Sequence, residues 1–491
     1  MLVNPRTAPE GTTMATATSV HESKRMFTIQ DGSSVLLTFI LVSALFLLWG
    51  FCNGLIDVMD KHFQDELGLS KSQSAWVQFA HYLGYFLMSI PAGWLAAKLG
   101  YKGGIIAGLL IVSIGGLWFV PATQVSRMVQ TGTVSSTAAF VAFLAGVCLI
   151  ATGLTFLETI ANPYTTVLGA REYSATRINL AQSCNGIGWI FGPIVGSVYF
   201  YSKDAAGHST GSQTLYIPYV AIAAVVIVLA GVFYFARVPD IRTQDEYHMD
   251  DGSAGVSHSI WSHPHFVFAV AAQFFYVAAQ AGIFSFFINY MTSEAPSVPS
   301  SWDAALKGVA GDGGVLREWL TGWFEAGRSG LPAISNKGAS NMASLGFVFF
   351  LVGRFTGAIL LKRYSAHRIL GLYACLNVVA TFLVFCKLGW LSVACVFLSY
   401  FFMSIMFPTI FALGIFGLGA RAKKASSYIV MAIVGGAILP KLMGYVADRF
   451  DMSRGFIVPM CCFVLVACYG FSWPRLSKAD SLHTIGAGHQ G

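Results

Sequence analysis

AGWLAAKLGYKGGIIAG at 92–108 lies over TGAILLKRYSAHRILGL at 356–372 when the chain is aligned with itself, with Gly93 on Gly357 and Lys98 on Lys362. The register holds on both sides of this match. Downstream, Pro163-x4-Leu168-Gly169 meets Pro408-x4-Leu413-Gly414. Upstream, FCNGLIDVM meets AAQAGIFSF, so Asn53 falls on Gln280 and Asp57 on Phe284. The two copies run in the same direction, and this duplication decides the architecture.

What repeats is a set of membrane spans. The chain is 55% hydrophobic and 11% charged, far below the roughly 25% charge of a soluble domain. Apolar runs long enough to cross a hydrocarbon core of about 30 Å recur along its length. Twelve are read, at 34–59, 74–98, 103–122, 136–168, 176–201, 216–237, 265–292, 341–362, 368–387, 390–419, 426–449 and 454–474. None alternates as an outer-membrane strand would, so the expected fold is all-α and integral to the membrane. A parallel repeat six spans apart implies two six-helix halves related about an axis along the membrane normal, with a substrate site between them near mid-membrane. The expected organisation is a tail (1–33), a first half (34–237), a charged linker (238–264), a second half (265–474) with an outer insert (293–340), and a tail (475–491). Within the insert, SSWDAALKGVAG and GGVLREWLTGWFEAG read as short helices.

Charge gives the orientation. The short loops assigned to the inside carry fourteen Lys and Arg, from Lys98 and Lys102 to Arg475 and Lys478, against seven in the short outer loops. Both termini are therefore expected in the cytoplasm. The first 33 residues lack an apolar core with a small-residue cleavage site, so no cleaved signal is read. A net charge of +7 is accounted for by this asymmetry, and no nucleic-acid partner is expected. The nine cysteines fall within predicted spans, where they act as small apolar filler.

Two carboxylic acids lie inside spans, Asp57 in LLWGFCNGLIDVMD and Glu158 in LIATGLTFLETIANP. An acid at the centre of a bilayer costs about 2.5–3.5 kcal/mol or more, so such a position points to function. A carrier driven by an ion gradient needs a group that crosses in a neutral form and can also carry charge. A carboxyl in a half-wet cavity meets that need. A sugar substrate asks for amides that donate and accept, plus an aromatic face for its C–H side. Asn53, Gln182, Asn185 and Gln280 supply the amides, and Phe284, Phe407 and Tyr276 supply rings. The competing reading of amides in membrane helices is that they join one helix to another. His81, the one histidine in a span interior, is either a proton relay or a packing residue. Gly186, Gly188 and Gly192 read as sites of close helix approach. No phosphate-binding glycine loop, metal-spaced His/Cys set or other enzyme motif occurs, so no cofactor, bound metal or enzymatic activity is expected.

The runs NGLIDVMDKHFQ, GYFLMSIPAGWLAAKLGYKGGI, LETIANPYTTVLG, INLAQSCNGIG, VGRFTG and FMSIMFPTIFALGI resemble the fucose/galactose/hexose–proton symporter family of the major facilitators, over nearly all of 35–475. The resemblance implies a twelve-helix major facilitator fold and a secondary active transporter that imports a monosaccharide with protons by alternating access. It places proton coupling on Asp57 and Glu158, and sugar contacts on Gln182, Asn185 and Gln280. Gly93, Lys98 and Arg354 resemble the superfamily's inner-loop signature and are expected at the inner gate. The implied setting is a multi-pass protein of the bacterial inner membrane, working as a monomer. Where fucose-carrying members read Asn-Asn-Leu-Asn-Asp, this chain reads Asn53-Gly54-Leu55-Ile56-Asp57. It also has Met406-Phe407 in place of Gln-Tyr, and Phe284 in place of a Trp, so a different hexose or an amino sugar is as consistent as fucose. Coupling to sodium in place of protons, and a transport-inactive sugar sensor, are the alternatives.

Overall fold

A computed structural model describes residues 26–28, 33–169, 174–201, 214–239, 260–310, 321–327, 331–361, 363–416, 418 and 422–477. Most of the linker assigned to 238–264, and most of both tails, lie outside the described residues. The first half contains α1 (Leu36–Asp57), α2 (Met59–Leu67), α3 (Lys71–Ser74), α4 (Trp76–Gln130), α5 (Ser136–Val167), α6 (Ser174–Tyr199) and α7 (Tyr216–Phe235). The second contains α8 (Pro264–Ser285), α9 (Phe287–Ser293), α10 (Ser300–Ala310), α11 (Asn336–Leu361), α12 (Ala366–Phe385), α13 (Trp390–Met403), α14 (Met406–Ile415), α15 (Ala422–Met431), α16 (Gly435–Arg449), α17 (Met452–Gly455) and α18 (Ile457–Ser477). Ten stretches of the described residues are long and apolar enough to cross a membrane. The first part of α4 and the polar α6 bring the number of crossing helices to twelve.

Local chemistry explains the joints. An unbroken helix over the 55 residues of α4 would be about 80 Å long, more than twice the hydrocarbon thickness. It breaks at Gly100, whose backbone (φ 70°, ψ 176°) is in a region that glycine tolerates and other residues resist. The predicted first and seventh spans break within one residue of matching places, after Asp57 and after Ser285. The predicted tenth span, 390–419, likewise divides into α13 and α14, and the eleventh is interrupted by a 3₁₀ turn at Ala432–Val434. Discontinuous helices at corresponding positions of two repeats leave backbone groups free beside a central cavity. In the insert, the first run forms α10, but the second does not finish as a helix. Phe324–Ala326 and Pro332–Ile334 pair as an antiparallel hairpin.

The first half is held together by a glycine seam. Gly50 and Gly54 on α1 face Gly188 and Gly192 on α6, four residues apart on each helix. A Cβ on Gly50 would stand 2.0 Å from the Asn185 carbonyl oxygen, and one on Gly188 would stand 2.1 Å from that of Leu47. Without side chains, the two backbones approach closely enough for van der Waals contact along the seam, the usual source of helix adhesion in lipid.

The halves meet at their outer ends. Gln64 of α2 and Asn289 of α9 exchange amide hydrogen bonds (2.5 and 3.4 Å). The Asp448 carboxylate accepts from the backbone N–H groups of Lys71 (3.0 Å) and Ser72 (2.8 Å), at the start of α3. Deeper in the membrane, Trp189 of α6 packs edge-on against Phe284 and Phe347. The hydrogen bonds join the outer ends of the two halves.

The seam yields a direct expectation. Gly188→Val should cost about 1–3 kcal/mol through overpacking, lowering the apparent Tm of purified protein, whereas substitution at Gly231, which has open space around its Cα, should leave it unchanged.

Candidate functional site

The candidate site is built around Glu158. This residue lies on α5, one turn before Asn162, and is half-buried, unlike its fully packed neighbours Thr155 and Leu157. Gln182 of α6 donates its side-chain amide to the Asn162 side-chain oxygen (3.1 Å), so an acid and two amides line one wall. Tyr82 and Tyr85 of α4 are within electrostatic range of Glu158. Tyr85 is fixed by the Trp49 indole, which donates to its hydroxyl (2.6 Å). Across the cavity, Tyr276 of α8 donates to the Met403 carbonyl (3.0 Å) and packs beside the half-buried ring of Phe407. The set brings together an acid, two amides, three tyrosines and the half-buried Phe407 ring.

Arg354 closes the ring. Its guanidinium reaches from α11 to the Gln182 carbonyl (3.5 Å) and the Ser404 carbonyl (3.4 Å), and lies over the Phe350 ring (4.9 Å). It therefore joins the two halves beside the substrate wall. Lys98, paired with it in the sequence reading, is exposed and lies over the Trp94 ring of its own helix (3.9 Å). Gly93 lies within α4, on the approach to the Gly100 break.

The other amides divide by role. Asn185 is buried and donates to the Phe46 carbonyl (3.2 Å), holding α6 against α1. Gln280 is half-buried on α8. Asn53 is 8% exposed and its side-chain oxygen is unpartnered. Phe284 is enclosed by Trp189, Phe347, Phe350 and Tyr400. Enclosed in this way, it does not present a free face. Ile56 and Met406, read as altered pocket walls, are packed in the core, and a Cβ on Gly54 would meet the Trp189 carbonyl at 2.7 Å.

Asp57 sits apart from Glu158, at the outer end of α1. It is 5% exposed, and one carboxylate oxygen accepts from Gln78 of α4 (3.3 Å) while the other has no partner. A second acid beside it escaped the sequence reading. Asp60 is fully buried, and neither of its carboxylate oxygens makes a hydrogen bond of regular geometry. It lies one residue beyond the predicted first span, where hydropathy falls into DKHFQDE. The signal available was its spacing of three residues from Asp57, which puts both acids on one side of a helical turn.

Comparison with known proteins gives a consistent answer. The family model of the Major Facilitator Superfamily matches residues 35–324. The chain is 32% identical over 451 residues to the L-fucose-proton symporter of Escherichia coli K12, covering 88% of this chain and 92% of that one. It is 30% identical over 430 residues to a glucose/galactose transporter of Brucella abortus, covering 87% and 92%. Its fold matches the crystal structure of FucP, a major facilitator transporter in the outward conformation, with a TM-score of 0.60 at 31% identity over 89% of this chain and 99% of that one.

Gln182→Ala should weaken sugar binding by about 1–3 kcal/mol, the usual cost of a buried polar group losing its partner. Asn185→Ala should act chiefly on thermal stability. Isothermal titration and thermal melts of the two variants, side by side, separate the roles.

Proposed function

The chain belongs to the Major Facilitator Superfamily, and from that membership we propose that it imports a hexose or related monosaccharide together with protons, by alternating access between its two six-helix halves. It is a transporter and not an enzyme. The observation that carries the reading is Glu158: a half-buried acid beside the Asn162–Gln182 amide pair and two tyrosines, in a chain whose two halves are joined at their outer ends.

The geometry gives each group a step. With the outer mouth open, the sugar hydroxyls exchange water for Gln182, Asn162 and the tyrosines, and Glu158 takes a proton. A neutral Glu158 removes the penalty of enclosing a charge, so the loaded cavity can close. Once the inner side opens, water reaches Glu158, which releases its proton to the cytoplasm as the sugar leaves. The inner membrane of a bacterium, with both termini in the cytoplasm and the protein acting as a monomer, is the setting we assign. The fucose relative is named for proton symport, and nothing in the comparisons supports sodium coupling or a transport-inactive sensor.

Two measurements test this. In proteoliposomes, Glu158→Gln, a permanently neutral mimic, should retain sugar exchange and lose accumulation against a gradient; uphill uptake at the natural level would remove Glu158 from coupling. In a competition panel of monosaccharides, a D-hexose or N-acetylhexosamine should displace labelled substrate better than L-fucose. The reason is that Phe407, half-buried beside Tyr276, stands where fucose-carrying members have a phenol, and a lost hydrogen-bond partner discriminates strongly.

A further inference from the structure

Asp60 is the most deeply buried acid among the described residues, and the sugar-binding wall does not use it. It is 0% exposed, both carboxylate oxygens lack a regular hydrogen bond, and Asp57 one turn away is close enough to repel it. Ser285, at the end of α8 in the opposite half, lies against Asp60 with its own hydroxyl unpartnered and 1% exposed. The side-chain oxygen of Gln78, beside Asp57, is likewise unpartnered. This polar pocket is made by the closure itself, because α1, α2 and α4 supply one side and α8 the other.

Among the described residues, no lysine or arginine pairs with either acid. Around the two acids stand Gln78, His81 and Tyr82 on α4, Tyr201 beyond α6, Ser285 on α8 and Tyr400 on α13. On α2 itself, His62 bonds the Phe200 carbonyl (3.1 Å). Phe63 fills the side toward α5, against Phe140 and Phe143. The nearby lysines are engaged at the rim, Lys61 with Asp65 (2.6 Å) and Lys71 with Asp448 (3.8 Å). Two carboxylates in one dry pocket without a cation cannot both stay charged, and even one is costly.

We propose that Asp60 is a proton lock on the outer gate: the outer mouth closes only after its carboxylate has taken a proton from the external solution, and it reopens with the return of that proton there. The proton becomes the hydrogen of a neutral carboxylic acid, able to donate to the Ser285 oxygen that lies against it. Asp60 has no exposure while the outer ends are joined, and its proton is given no route to the cytoplasm. It sets the pH at which the gate moves and does not add to the protons delivered per sugar. This inference rests on the reading of the chain as a proton-coupled sugar carrier.

The test is sugar exchange in proteoliposomes as external pH rises from about 6 to about 8.5. Asp60→Asn should flatten the alkaline decline by one proton, about tenfold less loss per pH unit, while steady-state accumulation under an imposed proton gradient stays at the natural ratio. Asp60→Glu should restore the steep decline. Should Asp60→Asn fail to reach the membrane, Asp60→Ser supplies the neutral comparison, and the same flattening is required of it. An unchanged decline in a neutral variant overturns the lock. So does a reduced accumulation ratio, which would make the Asp60 proton a transported one, and so does flattening of the natural protein's decline when sodium replaces choline. Absence of sugar exchange in the natural protein would overturn the underlying reading as well, which distinguishes the two failures.

Discussion

The approach of α1 to α6 across four glycines is the contact on which the cavity depends. In lipid there is no hydrophobic effect to press helices together, so close backbone packing must supply the adhesion. α1 carries Asn53 and Asp57, and α6 carries Gln182 and Asn185. The seam therefore fixes the depth and rotation of these amides and of the outer acid at once. Asn185 shows the dependence directly. Its amide is spent on the Phe46 carbonyl of α1, one turn from the place where a Cβ on Gly50 would strike its own carbonyl oxygen.

The acids then divide the labour by depth and access. Glu158 is half-buried, while Asp57 and Asp60 are buried behind the joined outer ends. In the proposed cycle the same chemical group performs different tasks because the two places differ in access to solvent. Arg354 and Gln182 tie the halves together beside the sugar wall, so a ligand that disturbs Gln182 also reaches the interface that must move.

The architecture was legible because hydropathy and self-similarity are strong signals. Twelve apolar runs and an in-register repeat leave few folds to consider, and Asp57 and Glu158 stand out against their surroundings. Other features are invisible to those signals. Hydropathy cannot show that α1 continues as α2 beneath the surface, which is why Asp60 looked like the start of an outer loop. The sequence does not tell which face of a helix an amide occupies, so Asn185 and Gln182 looked alike although one bonds a helix and the other faces the cavity. The altered residues Ile56 and Met406 suggested a changed pocket, but burial places them in packing. The second insert run has an amphipathic look, yet its end folds back as a hairpin because strand pairing satisfies its backbone groups.

The joints of this molecule are of two chemical kinds. Within the first half, the α1–α6 seam is dry backbone against backbone, and nothing in the surrounding lipid can replace what would be lost on separation. Between the halves, the outer rim is fastened by the Gln64–Asn289 amides and by Asp448 on the exposed start of α3. Water offers each of these groups an equivalent partner, and a solvent-exposed ion pair is worth only about 0–1 kcal/mol. Where solvent can substitute for the protein, a contact can be undone thousands of times without loss. The distribution of glycine and amide along the chain thus separates the parts that stay joined from the parts that can part.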